Sequence, residues 1–137
     1  MSLCVATAGT VLTLLASSFS LSWVHSVEKT AWVEHWQVQG ERLLLTSASV
    51  EGSGAGIELP PNAVWEKGRW TYRPDLPPLP SLSLAASGQT ASAWHLCAEG
   101  TCHELGRAAG EEVLIWAADF CEPTPRRGGG APGQPVR

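Results

Sequence analysis

FSLSWVHSVEKTAWVEHW, residues 19–36, is the stretch whose reading decides the fold. Phe19, Leu21, Trp23 and His25 alternate with Ser20, Ser22, Val24 and Ser26, and a period of two is that of a half-buried strand. The pattern breaks at a charged segment and then resumes. Trp32, Glu34, Trp36 and Val38 share one face, and Val33, His35 and Gln37 share the other. A four-residue loop at 27–30 sets Trp23 opposite Glu34, Leu21 opposite Trp36 and His25 opposite Trp32. The two apolar faces then coincide, whereas a slip of one residue would turn one of them to solvent. This predicts an antiparallel hairpin.

Working outward, the same period recurs. RLLLTSASV (42–50) reads as a further strand after a turn at Gln39-Gly40-Glu41. AVWEK and RWTYR face each other across Lys67-Gly68, where Gly supplies the positive φ of a tight turn. That register pairs Glu66 with Arg69 and Trp65 with Trp70. The Pro-rich RPDLPPLP (73–80) cannot feed a ladder and is expected to cross between sheet edges. SLSLAAS, AWHLCA, TCHELG and EVLIWAA supply the later strands, and a short helix has room only near 106–112. At the front, SLCVAT and VLTLLA read as strands either side of a turn near Gly9. They lack the positive flank of a signal peptide and the roughly 20 apolar residues of a membrane span.

The expectation is an all-β protein, an antiparallel β-sandwich or flattened barrel of about ten short strands built from hairpins. Residues 1–121 form a single domain. Residues 122–137, PTPRRGGGAPGQPVR after Glu122, carry no side chain worth burying before Val136 and are expected to be a disordered Pro/Gly-rich tail.

The 137 residues are 44% hydrophobic and 16% charged with a net charge of −4, a size and composition sufficient for one packed core. Scattered cations without a basic stripe exclude nucleic acid as a partner. Seven Trp against one Tyr is an unusual aromatic balance, and indoles suit strand faces and wet binding surfaces equally. Four Cys suggest an oxidising compartment. In LCAEGTCHEL a two-residue turn at Glu99-Gly100 makes Cys97 and Cys102 a non-hydrogen-bonded pair about 4.5 Å apart, within reach of a disulfide. Cys4 and Cys121 stand at the two ends of the folded region, where a second bridge would staple the terminal strands. Four buried free thiols are the alternative.

Chemistry is sparsely signalled. His25 and Ser26 are strand neighbours on opposite faces, so the imidazole cannot activate that hydroxyl. Ser26 also lacks the strand-to-helix turn of a nucleophile elbow. His25 and Glu34, diagonal on one face and flanked by Trp23 and Trp32, form either a core polar pair that pins register or a ligand-binding, pH-sensing pair. The spacing of His25, His35, His95 and His103 matches no metal motif, so no metal or cofactor is expected. GSGAG (52–56) is not a phosphate loop. With Glu58 beyond it, its glycines suit a bulge or a rim of N–H groups able to hold a carboxylate.

SWVHSVEKTAWVEHW is similar to the signature F-x-x-x-Y/W-x-H-S-V-E-x-T-x-x-x-E, and GSGAGIE to a later G-A-G motif. Both belong to the bacterial domain-of-unknown-function family eighteen-fifty, and the resemblance covers about residues 3–105. It carries over to His25, Ser26, Val27, Glu28, Thr30 and Glu34, then to Gly54, Ala55 and Gly56. Ala31 stands where many members have Pro, and the signal segment common in the family is missing or truncated here. The resemblance implies a short β-rich protein, periplasmic or otherwise extracytoplasmic, whose genes lie beside those of TRAP-type (TAXI) permeases. The expected function is therefore a non-enzymatic accessory or binding protein, with a transporter permease or solute receptor as partner and membrane association only through it. Candidate binding residues are His25, Ser26, Glu28, Glu34, Gly54, Ala55, Gly56 and Glu58. The alternative is a small hydrolase or metal-dependent enzyme using His25, Glu28 and Glu34.

Overall fold

A computed structural model describes residues 2–7, 10–24, 31–51, 59–85, 94–106 and 112–121. They form eleven strands: β1 Ser2–Thr7, β2 Thr10–Leu14, β3 Ser18–Val24, β4 Ala31–Gln39, β5 Arg42–Glu51, β6 Val64–Glu66, β7 Arg69–Tyr72, β8 Ser81–Ala85, β9 Trp94–Ala98, β10 Thr101–Leu105 and β11 Glu112–Ala118. Every pairing is antiparallel. A four-stranded sheet runs β2-β1-β11-β8, and a seven-stranded sheet runs β10-β9-β3-β4-β5-β7-β6. One apolar cluster joins them, with Leu3, Val5, Leu82, Leu84, Val113 and Ile115 from the smaller sheet meeting Phe19, Leu21, Trp36, Leu43 and Leu96 from the larger. The architecture is the expected β-sandwich, and no closed barrel occurs among the described residues. The expected tail and the segment considered for a short helix, at 107–111, lie outside them.

Local chemistry explains the hairpins. Lys67-Gly68 and Glu99-Gly100 each have two positive φ angles, 53° and 76° in the first and 51° and 79° in the second. This is the left-handed pair whose twist matches that of the flanking strands. Trp65 pairs with Trp70 and Glu66 with Arg69, as read from the sequence. SLCVAT forms β1 and TVLTL forms β2, paired Leu3 to Leu14 through Thr7 to Thr10. The first strand also pairs with the last, Cys4 lying opposite Trp116.

Two expectations need correction. The central hairpin pairs Leu21 with Glu34, Trp23 with Trp32 and Phe19 with Trp36, two residues from the expected register. Slippage by two leaves every side chain on its face, so alternation could exclude a one-residue error but not this one. The Pro-rich segment does cross from one sheet to the other, yet it also joins the ladder. The Leu79 N–H donates to the Leu43 carbonyl at 2.8 Å and the Leu43 N–H donates back at 2.7 Å. Leu79, between Pro78 and Pro80, keeps the one N–H in that short run that can bond.

Both disulfides are present. Cys97 and Cys102 are bridged across the β9–β10 hairpin with Cα atoms 4.0 Å apart. Cys4 and Cys121 are bridged over a separation of 117 residues.

Candidate functional site

Strand direction decides where the motifs emerge. Val24 pairs with Ala31, so the segment 25–30 leaves and re-enters the larger sheet at one end. Trp32 pairs with Val50, and Glu51 pairs with Arg69. The segment 52–58 therefore departs from that same end, one strand over. The two motifs, thirty residues apart in the chain by rough count, spring from neighbouring strand termini because β4 and β5 are antiparallel.

Arg69 ties those termini together. Its Nη2 donates to the Ala31 carbonyl at 3.2 Å, and its Nε and Nη2 both donate to Ser49 Oγ at 3.2 Å. Its Nη1 also lies 4.0 Å from Glu51 Oε2. That ion pair is half exposed and adds little by itself. The planar guanidinium matters more, because it holds the strand end entering β4 against the strand end leaving β5.

On the inward face behind this end, register aligns one residue from each of the seven strands: Leu105, Trp94, Trp23, Trp32, Val50, Trp70 and Trp65. Five of the seven tryptophans stand in this row. Trp23 stacks on Trp32 with centroids 5.9 Å apart and meets Trp94 tilted at 4.9 Å. Trp65 meets Trp70 edge-on at 5.3 Å. Burial grades along the row. Trp94 and Trp23 are in the core, Trp32 and Trp70 are half-buried, and Trp65 is 49% exposed on the edge strand β6. Neither Trp70 nor Trp65 belongs to the apolar cluster that joins the two sheets. Among the described residues the buried indole N–H groups of Trp32 and Trp94 meet no hydrogen-bond acceptor.

One step further into the sheet lies Glu34, 3% exposed and facing the core. Trp36 Nε1 donates to its Oε1 at 3.2 Å. A carboxylate so buried needs donors, and the indole two residues along the same face is one of them. Of the candidate residues, Glu34 is the one the structure describes. His25, Ser26, Glu28, Gly54, Ala55, Gly56 and Glu58 lie outside the described residues, so the expected His25–Glu34 pair does too. Among the described residues no group of three or more His, Cys, Asp or Glu is placed to hold a metal ion.

Sequence reasoning passed over two features. Arg69 was matched to Glu66 across its turn, but its reach to Ser49 and Ala31 depends on the pairing of β5 with β7, which no local pattern reveals. His95 and Glu104, directly opposite on β9 and β10, meet on the outer face with His95 Nε2 3.3 Å from Glu104 Oε2. The Cys97–Cys102 register already implied that pair, and counting two residues further from the turn would have found it.

The family model described as Domain of unknown function (DUF1850) matches residues 19–105, well over half of the chain. No curated protein and no solved structure matches. The chain belongs to this family.

Proposed function

We propose that this family member is a non-enzymatic binding module, an accessory to a TRAP/TAXI-type transport system. It engages a permease or solute receptor through the end of the sandwich that carries the two motifs. The observation that carries this reading is the tryptophan row, which runs from a fixed core, across Val50, to an exposed edge. An exposed indole braced by a half-buried neighbour offers large contact area with little rotamer entropy to lose, which is why Trp is enriched where interfaces draw most of their energy. Two disulfides favour an oxidising, extracytoplasmic setting. The enzyme alternative would draw on His25, Glu28 and Glu34, but Glu34 is turned into the core against Trp36, where it holds the sheet rather than a substrate.

Capture of the detergent-solubilised permease or solute receptor on immobilised protein tests the reading. Trp65→Ala and Trp70→Ala should weaken capture by at least about tenfold, the loss of a single anchoring aromatic. Leu15→Ala alters a residue that is 80% exposed at the opposite end and should leave capture unchanged. Equal capture by all three variants would overturn the assignment of the Trp row.

A further inference from the structure

We infer that the Cys97–Cys102 bridge, at the end of the sandwich away from the motifs, is a thiol–disulfide exchange site. Its substrate class is a dithiol, and Cys102 Sγ is the sulfur attacked.

Three observations converge. The two bridges differ in access: Cys4 is fully buried and Cys121 half-buried, whereas Cys97 is half-buried and Cys102 exposed on the outer face of the larger sheet. The bridge also joins directly opposite residues of an established hairpin. The left-handed Glu99-Gly100 turn and the ladder already set that register, so opening the bond leaves the strands paired. The third observation is directional. Thiolate attack on a disulfide proceeds in line with the sulfur–sulfur bond, opposite the leaving sulfur. The bond crosses from β9 to β10, and β10 is the last strand of its sheet. The line from Cys97 through Cys102 therefore continues past the sheet edge, where no further strand stands among the described residues. Attack on Cys97 would have to come over β3, from above Ser20, its cross-strand partner.

The exchange balances as follows. One thiolate of the dithiol forms a bond to Cys102 Sγ, the Cys97–Cys102 bond breaks, and Cys97 leaves as thiolate. The second thiol of the dithiol, deprotonated, then attacks its own sulfur in the mixed disulfide and releases the Cys102 thiolate. Two electrons pass to the bridge and the dithiol becomes a disulfide. The two protons it gives up balance those that convert the cysteine thiolates to thiols. His95 and Glu104 lie on the same face, two register pairs further from the turn.

The test uses the full oxidised chain in graded dithiothreitol without denaturant, followed by alkylation and mapping of the labelled cysteines. Cys97 and Cys102 should label together at a reductant concentration at least about tenfold below that needed for Cys4 and Cys121. The far-ultraviolet circular dichroism should be unchanged, and reoxidation should restore the bridge. Single variants test the direction of attack. With glutathione disulfide, the free thiol of Cys97→Ser should form the mixed disulfide at least about tenfold faster than that of Cys102→Ser. Reduction of both bridges in step, loss of strand signal when this one opens, or equal rates for the two variants would overturn the inference.

Discussion

Replacing Glu34 separates a carboxylate kept for the fold from one kept for another purpose. In Glu34→Ala the Trp36 N–H, on a residue 1% exposed, loses an acceptor in a place that water does not reach. An unpartnered buried donor costs about 1–3 kcal/mol, and the one buried methylene lost adds about 0.8 kcal/mol. Together these come to roughly 2–4 kcal/mol, a large share of the 5–15 kcal/mol expected for a domain of this size. Glu34→Gln keeps a carbonyl oxygen within the same reach and gives up only the charge-assisted part, about 1 kcal/mol. Urea unfolding followed by far-ultraviolet circular dichroism, under oxidising conditions, reads both variants as midpoint shifts at constant m. The reasoning fails if Glu34→Ala matches the wild type. It also fails if Glu34→Gln is the more stable protein, because the charge would then be a burden on the sheet, retained for something other than stability.

Three further outcomes follow from the geometry. The chain-entropy relation applied to each bridge's sequence separation gives about 5 kcal/mol for Cys4–Cys121 and about 2 kcal/mol for Cys97–Cys102. In denaturant titrations the Cys4→Ala/Cys121→Ala variant should therefore unfold well before Cys97→Ala/Cys102→Ala, and the reverse order would contradict the model. Burial raises the pKa of the Tyr72 phenol above its ordinary value of 10.0. Because the folded value lies above the unfolded one, the stability held by the neutral phenol is intact below about pH 10 and lost as pH rises through the folded value. Tyr72 is the lone tyrosine, so tyrosinate absorbance reports it directly, and a midpoint at or below the ordinary value would refute its burial. Ending the chain after Cys121 should leave the melting temperature within a couple of degrees, equivalent to a few tenths of a kcal/mol, and a larger fall would show that residues 122–137 dock.

Much of this architecture was legible because a strand writes itself into sequence at short range. The Lys67-Gly68 and Glu99-Gly100 turns specify their own pairings, and the second of them also specified a disulfide. What local pattern could not supply was register beyond parity, hence the two-residue slip at Trp23, and pairing between strands distant in sequence. The β1–β11 and β5–β7 contacts belong to the second class, and the roles of Arg69 and of the tryptophan row depend on β5–β7. Each Trp in that row was visible, but the row itself exists only once seven strands are in order. Glu34 was singled out for His25, which lies outside the described residues, and a partner that the structure does give it is the indole two residues along its own strand. A carboxylate and an indole at spacing two on one strand were adjacent on the page all along.

The placement of β11 between β1 and β8 has a consequence in time. As the chain is synthesised, the larger sheet has all its strands once β10 has emerged, and its hairpins can close from local contacts. The smaller sheet cannot. Its first hairpin, β1–β2, must wait for a strand made more than a hundred residues later, and β8 waits for the same strand. Until then, Leu3, Val5, Leu82 and Leu84 have no sheet of their own to complete, and the inward face of the larger sheet, from Phe19 to Leu96, lacks its cover. Loop closure over such a distance is slow. The half-made chain is therefore most exposed to aggregation just before its last strand pairs, and the Cys4–Cys121 bridge then ties the first strand to the end of the last.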